Sequence, residues 1–131
     1  MAVIDKQRKK ANEVASMQVI GNVRGKECII VDDMIDTGGT LMKAAVELKK
    51  QGAAQVIVYA THGLFSDGAR KKIDEDQNID MYVVSDTLPQ TQNILHIAPL
   101  LQKVITSIDN KLSVSEAIKN YLHFLETQVN K

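Results

Sequence analysis

Four apolar residues in unbroken succession, Cys28-Ile29-Ile30-Val31, run straight into two carboxylates, a glycine pair and an amphipathic segment. No other feature constrains this chain as much. A short continuous apolar block bounded by turn formers suits a strand buried on both faces of a parallel sheet, and Lys26 to Asp32 reads as that strand. Asp32 to Gly39 is rich in turn formers and reads as a loop. Thr40 to Gln51 reads as a helix, with Leu41, Ala44, Ala45 and Leu48 at helical spacing and Lys43, Glu47 and Lys50 on the wet side. Lys49 and Lys50 complement the dipole at its end, and Gly52 stops it.

The same rhythm continues on both sides of this unit. Gln55 to Thr61 is a second apolar strand, and Ser66 is placed to cap a short helix through Asp76. Asp80 to Ser85 and Asn93 to Ile97 read as further strands. Pro99 suits the first turn of a helix through Ile108. Ser113-Val114-Ser115-Glu116 is a capping box. It opens a helix whose apolar face is Val114, Ala117, Ile118, Tyr121, Leu122 and Leu125, with a tail that frays from Gln128. Upstream, Met1 to Asp5 reads as a strand end, Lys6 to Asn12 as a basic loop, and Val14 to Ile20 as a strand closed by Gly21-Asn22. An opening on a strand end predicts a longer upstream region replaced by an initiator methionine. Strands alternating with helices predict one α/β domain over residues 1–131, a mostly parallel twisted sheet covered by helices on both faces.

Composition removes several classes of function. Sixteen basic and sixteen acidic residues cancel, which gives no global field for nucleic acid or a membrane surface. No apolar run approaches the ~20 residues of a membrane span. The lone Cys28 excludes an internal disulfide, fits a reducing compartment, and reads as core filler. A cytoplasmic globular domain is the expectation.

In open parallel sheets, ligands bind at the carboxyl ends of strands. That directs attention to Asp32-Asp33-Met34-Ile35-Asp36-Thr37-Gly38-Gly39-Thr40. Amides converging on a helix start, with the positive end of its dipole, make an anion site. Gly38 and Gly39 let the backbone wrap closely, and Thr37 and Thr40 add hydroxyl donors. Asp32 and Asp33 would repel a phosphate facing them. They suit vicinal hydroxyls, or magnesium bound through water. A ribose 5-phosphate satisfies both ends of the loop. An acidic pair after a buried strand also occurs in magnesium-binding receiver domains; the glycine pair between threonines argues for the phosphosugar.

This loop resembles the phosphoribosyl-diphosphate (PRPP) signature of the type I phosphoribosyltransferase fold, and most of all that of the ribose-phosphate diphosphokinases. Ile4-Asp5-Lys6-Gln7-Arg8, Ile20-Gly21-Asn22-Val23 with Gly25-Lys26, Tyr59-Ala60-Thr61-His62-Gly63-Leu64-Phe65-Ser66, Pro99-Leu100-Leu101 and Ser113-Val114-Ser115 extend the resemblance in order along the chain. It implies that Lys6 and Arg8 are catalytic, stabilising charge on the transferring diphosphoryl group. It implies that Asp32 and Asp33 hold the ribose hydroxyls, with Mg2+ nearby and held indirectly. Asp36, Thr37, Gly38, Gly39 and Thr40 would hold the 5-phosphate. His62 and Ser66 fall in a segment involved in regulation, although a satisfied structural histidine reads equally well. The implied reaction is attack of the ribose 1-hydroxyl on the β-phosphorus of Mg-ATP, giving PRPP and AMP. Homodimers or larger homo-oligomers are implied too.

The chain departs from that pattern in three places. The family's upstream half, which carries the ATP site, is absent, and Mg-ATP binding therefore needs that half. Gln7 stands where a basic residue is frequent, and the stretch just after Arg8 lacks a proline common in the family. Glu116-Ala117-Ile118 replaces a more aromatic ending. Two rival functions remain: a nucleobase phosphoribosyltransferase, and a silent regulatory subunit that binds pentose phosphate. Lys9 and Lys10 are open between a solvated face and a role. His96 and His123 read as structural, and Met17, Met34 and Met81 as packing residues.

Overall fold

The computed structural model describes the backbone of residues 3–10 and 13–129, and the side chains of residues 19–127. The chain forms two compact units, Met1–Leu95 and His96–Lys131.

In the first unit, β1 (Val3–Lys10) and β2 (Glu13–Ile20) form an antiparallel hairpin. Lys6 to Asn12, expected as a loop, is therefore mostly strand. Cross-strand pairs such as Lys6 with Met17 and Arg8 with Val14 supply backbone partners that a charged run does not advertise by periodicity. Register slips on either side of Arg8 mark an irregularity there.

Four parallel strands form the main sheet: β3 (Glu27–Ile35), β4 (Gln55–Gly63), β5 (Met81–Ser85) and β6 (Ile94–Leu95), in that order. Helix α1 (Gly39–Lys50) crosses from β3 to β4. A 3-10 turn at Ser66–Gly68 and α2 (Ala69–Asp74) join β4 to β5. Ser66 makes no capping hydrogen bond; Phe65 precedes the turn, and Gly68, left-handed at φ 72°, precedes α2. The last strand is shorter than expected and leaves His96 outside it.

The core lies between α1 and one face of this sheet. Leu41, Ala44, Ala45 and Leu48 are buried, as their helical spacing predicts. They meet a face built from Val56, Val58 and Ala60 of β4 and Tyr82 and Val84 of β5, with Ile73 of α2 and half-buried Cys28 and Ile30 of β3. Alternation along β4 sends every second residue into this layer. On the other face of β3, Ile29 and Val31 are 65% and 72% exposed. Met34 and Met81 are also exposed rather than packed. At the amino-terminal end of the sheet, Asp80 ties elements together. Its Oδ2 accepts the Val56 N–H at 2.7 Å and pairs with Lys49 Nζ at 2.8 Å.

The second unit is a helical pair, α3 (Ala98–Asp109) and α4 (Val114–Val129). Pro99 occupies the first turn of α3, where its missing N–H has no intrahelical partner to lose. Ser113 caps α4, accepting the Glu116 N–H at 3.4 Å. Val114, Ala117, Ile118 and Tyr121 are half-buried, but Leu122 and Leu125 are exposed. No helix among the described residues is long and apolar enough to cross a membrane.

Candidate functional site

The strand that leads to the site is longer than its apolar block. β3 continues through Asp32, Asp33, Met34 and Ile35 because β4 pairs with it to the end, Met34 opposite His62 and Ile35 opposite Gly63. The loop thus shrinks from the expected Asp32–Gly39 to Asp36-Thr37-Gly38. Strand alternation places Asp32 and Asp33 on opposite faces of β3. Asp32 is half-buried and Asp33 exposed. Each uses one carboxylate oxygen locally: Asp32 Oδ1 accepts the Asp33 N–H, and Asp33 Oδ1 accepts the Met34 N–H, both at 2.9 Å.

Gly38 makes the turn into α1. Its φ of 74° is a left-handed value that L-residues adopt only at a cost. A methyl there would also come within 3.1 Å of Ile73 Cδ1, so α2 packs directly beneath the loop. Gly39 is different. It lies in the helix, and an added Cβ would meet nothing within 4 Å. The protein itself gives no reason for a glycine at position 39, whereas a ligand seated against the backbone would.

The mouth of α1 has no side-chain cap and no acidic residue in its first turn. The first N–H groups of a helix have no intrahelical acceptor. Among the described residues, neither the Thr37 nor the Thr40 hydroxyl has a protein partner. Free amides, two hydroxyls without a protein partner, a positive dipole end and an unobstructed glycine thus belong to one short stretch at the start of α1. A helix mouth of this kind suits an anion with several oxygens, such as a phosphate monoester.

The neighbouring strand ends build the adjoining wall. Ile35 O accepts the N–H groups of Leu64 and Phe65 at 2.9 and 3.0 Å, tying the exit of β4 to the base of the loop. Ser85 and Thr87 hydroxyls reach Thr61 O at 2.7 and 2.9 Å, and His62 Nδ1 lies 2.8 Å from Thr87 Oγ1. Which of His62 Nδ1 and Thr87 Oγ1 donates depends on the tautomer of the ring. Further along, Arg70 stacks on the Phe65 ring at 4.0 Å and donates to Tyr82 Oη at 3.1 Å and to Gln90 Oε1. Gln90 Nε2 in turn donates to Gly63 O at 2.7 Å. Phe65 and Asp67 are held left-handed within this clamp.

Of the residues expected at the site, Asp32, Asp33, Asp36, Thr37, Gly38, Gly39 and Thr40 come together at the end of β3, with His62 on the adjacent strand. Ser66 is exposed in the 3-10 turn. The side chains of Lys6 and Arg8 lie outside the described residues; their backbone belongs to β1. Arg70, Thr87 and Gln90 are joined to the site only by non-local contacts, which local sequence patterns do not show. Thr87 and Gln90 lie just past the apolar strand Met81–Ser85, the one sequence signal they carry.

The family model for the phosphoribosyl synthetase-associated domain matches residues 3–127. Over 123 residues the chain is 46% identical to a ribose-phosphate pyrophosphokinase of Pasteurella multocida and 47% identical to one of Chromobacterium violaceum. Each alignment takes in 88% of this chain, but only 39% and 37% of the two enzymes, so the chain spans under two fifths of their length. Among solved structures, phosphoribosylpyrophosphate synthetase from Mycobacterium smegmatis superposes with a TM-score of 0.65 at 40% identity, covering 76% of this chain and 35% of that one. The strand–loop–helix geometry and this family match lead to one conclusion: the chain belongs to the phosphoribosyl synthetase-associated domain family.

Proposed function

We propose that this chain is the pentose-phosphate-holding part of a ribose-phosphate pyrophosphokinase, with residues 1–131 acting as one functional piece of that enzyme. The observation that carries the proposal is the uncapped mouth of α1 beside left-handed Gly38. The 5-phosphate of ribose 5-phosphate sits on the amides at Gly38, Gly39 and Thr40, with the hydroxyls of Thr37 and Thr40. Asp36 bounds this cradle. Asp32 and Asp33 each keep one carboxylate oxygen that no local amide occupies, and these take ribose hydroxyls.

Magnesium fits this arrangement in one form only. Two hard carboxylates suit it, but among the described residues no three His, Cys, Asp or Glu side chains group as a cage. The ion would therefore be held mainly by substrate oxygens and water, with Asp32 and Asp33 as outer partners. When bound, it neutralises phosphate charge. Lys6 and Arg8 add cationic charge at the transferring group, where phosphoryl transfer depends on positioning and electrostatics. In the complete reaction the ribose 1-hydroxyl bonds to the β-phosphorus of ATP, the bond to the α-phosphate oxygen breaks, and PRPP and AMP leave.

Because the chain matches under two fifths of its relatives, binding without turnover is the expected behaviour of these residues alone. Calorimetry with ribose 5-phosphate, followed by an AMP assay with Mg-ATP, tests it. Saturable binding with no AMP supports the proposal. AMP formation at ordinary enzyme rates refutes the silent-binder part. Diphosphate release from PRPP that requires a nucleobase would instead mark a phosphoribosyltransferase.

A further inference from the structure

Arg70 is half-buried, and among the described residues its guanidinium meets no carboxylate. It lies 4.0 Å from the centroid of the Phe65 ring and donates to two neutral oxygens, Tyr82 Oη at 3.1 Å and Gln90 Oε1. Two further contacts close the circuit. The Phe65 and Tyr82 rings stand 5.6 Å apart, and Gln92 Nε2 donates to Tyr82 Oη at 2.9 Å. One side chain of α2 thus joins the exit of β4, strand β5 and the segment that follows β5. A planar fork with donors on both arms bridges two such acceptors at once, which a lysine ammonium does poorly.

The circuit holds the backbone directly behind the loop into α1. Gln90 Nε2 donates to Gly63 O at 2.7 Å, and Gly63 stands opposite Ile35 in the β3–β4 ladder. Ile35 O, the last carbonyl before Asp36, accepts the N–H groups of Leu64 and Phe65. Phe65 is left-handed at φ 56° and Asp67 at φ 53°, conformations that residues other than glycine take at a cost. The fit leaves no room for a side chain at Gly63. A Cβ there would stand 2.5 Å from Phe65 Cε2 and 3.0 Å from Gln90 Nε2. The far end of the loop rests on α2 itself. A Cβ at Gly38 would meet Ala69, the residue before Arg70, at 3.8 Å and Ile73, nearly one turn after it, at 3.1 Å. Asp36–Gly38 is therefore bracketed by two supports, the 63–65 segment and α2, and Arg70 joins them.

We propose that Arg70 is a positioning residue for the pentose-phosphate site. Through Phe65 and Gln90 it holds the 63–65 segment and α2 in the relation that sets the backbone of Asp36–Gly38, without touching the ligand. The identity of that ligand rests on the proposed function; control of the loop backbone does not. A merely structural role would lower stability and leave the folded loop as it is. Asp80 supplies the comparison, since it ties Lys49 and Val56 together at the amino-terminal end of the sheet, remote from the loop.

The test compares Arg70→Met, Arg70→Lys, Gln90→Met and the double variant Arg70→Met with Gln90→Met against Asp80→Asn, each 15N-labelled and held well below its melting temperature. In the free protein, Arg70→Met should move the amide signals of Asp36–Gly39 and speed their exchange. Ribose 5-phosphate should bind it about tenfold more weakly. Arg70→Lys keeps the charge and the ring contact but not both hydrogen bonds, and should fall between Arg70→Met and the parent. Gln90→Met breaks the same circuit, so the double variant should lose little more affinity than either single change. Asp80→Asn should lower stability and leave Kd and the loop signals unchanged. If Arg70→Met does not fold, Arg70→Lys and Gln90→Met carry the same readouts. Loop signals that stay in place in the folded Arg70 variants, affinity equal to the parent's, additive losses in the double variant, or an equal loss of affinity in Asp80→Asn would each overturn the proposal. A parent protein that binds no ribose 5-phosphate refutes the reading of the ligand, and the loop signals of the free protein then decide the role of Arg70.

Discussion

Replacing Gly39 by alanine separates a structural glycine from one kept open for a ligand. Position 39 is helical, and its new Cβ would meet no atom within 4 Å. Alanine in a helix is favoured over glycine by up to about 1 kcal/mol, and about half of that is reasonable in the first turn. The free protein should therefore melt roughly 2 °C higher. A phosphate seated against this backbone would meet the same methyl. Displacing it from even one amide should weaken ribose 5-phosphate about tenfold, or 1.4 kcal/mol. Gly38→Ala is the opposite case. Its φ of 74° and the 3.1 Å approach to Ile73 Cδ1 predict a loss of about 1–2 kcal/mol in stability. Scanning calorimetry and titration calorimetry on both variants read the two effects apart. A Gly39→Ala protein that binds ribose 5-phosphate as well as the parent would refute the seat. One that melts well below the parent would refute the open space around position 39.

Other consequences follow from the same contacts. Ile73 is 1% exposed and supports Gly38, so Ile73→Ala should cost about 2–4 kcal/mol in urea unfolding and weaken ribose 5-phosphate as the loop loses its floor. Arg70→Ala removes a ring contact and two hydrogen bonds, and should cost about 2 kcal/mol and speed amide exchange at residues 63–68. Lys49, and after it the Val56 amide, hold the Asp80 carboxyl below its ordinary value of 3.8. A carboxyl lowered on folding stabilises fully above its unfolded value, and that contribution fades as pH falls through the lower, folded value. Asp80→Asn should therefore differ most from the parent near neutrality, with the gap in urea midpoints closing below about pH 4.

Much of this architecture is legible in the sequence where local rules act alone. Leu41, Ala44, Ala45 and Leu48 announce the buried face of α1 by spacing, and all four are buried. Pro99 and Ser113 mark the starts of α3 and α4 through chemistry that needs no distant partner. The glycine pair and flanking threonines mark the start of α1 for the same reason. What local rules miss is set by pairing between distant segments. Asp32 to Ile35 read as loop because acids are poor strand formers, yet β4 extends the ladder to Gly63. Lys6 to Lys10 carry no apolar period, and β2 makes them strand. The apolar run Cys28–Val31 reads as buried throughout, but only Cys28 and Ile30 pack against the core, and Ile29 and Val31 are exposed. Arg70 and Gln90 lie twenty residues apart, and nothing local joins them.

The most direct test follows the amide signals of 15N-labelled protein during titration with ribose 5-phosphate. The cradle predicts saturable shifts concentrated at Thr37, Gly38, Gly39, Thr40 and Leu41, with inorganic phosphate moving the same peaks more weakly. Signals at α1 that stay in place at saturating ligand, while others move or none do, would contradict it.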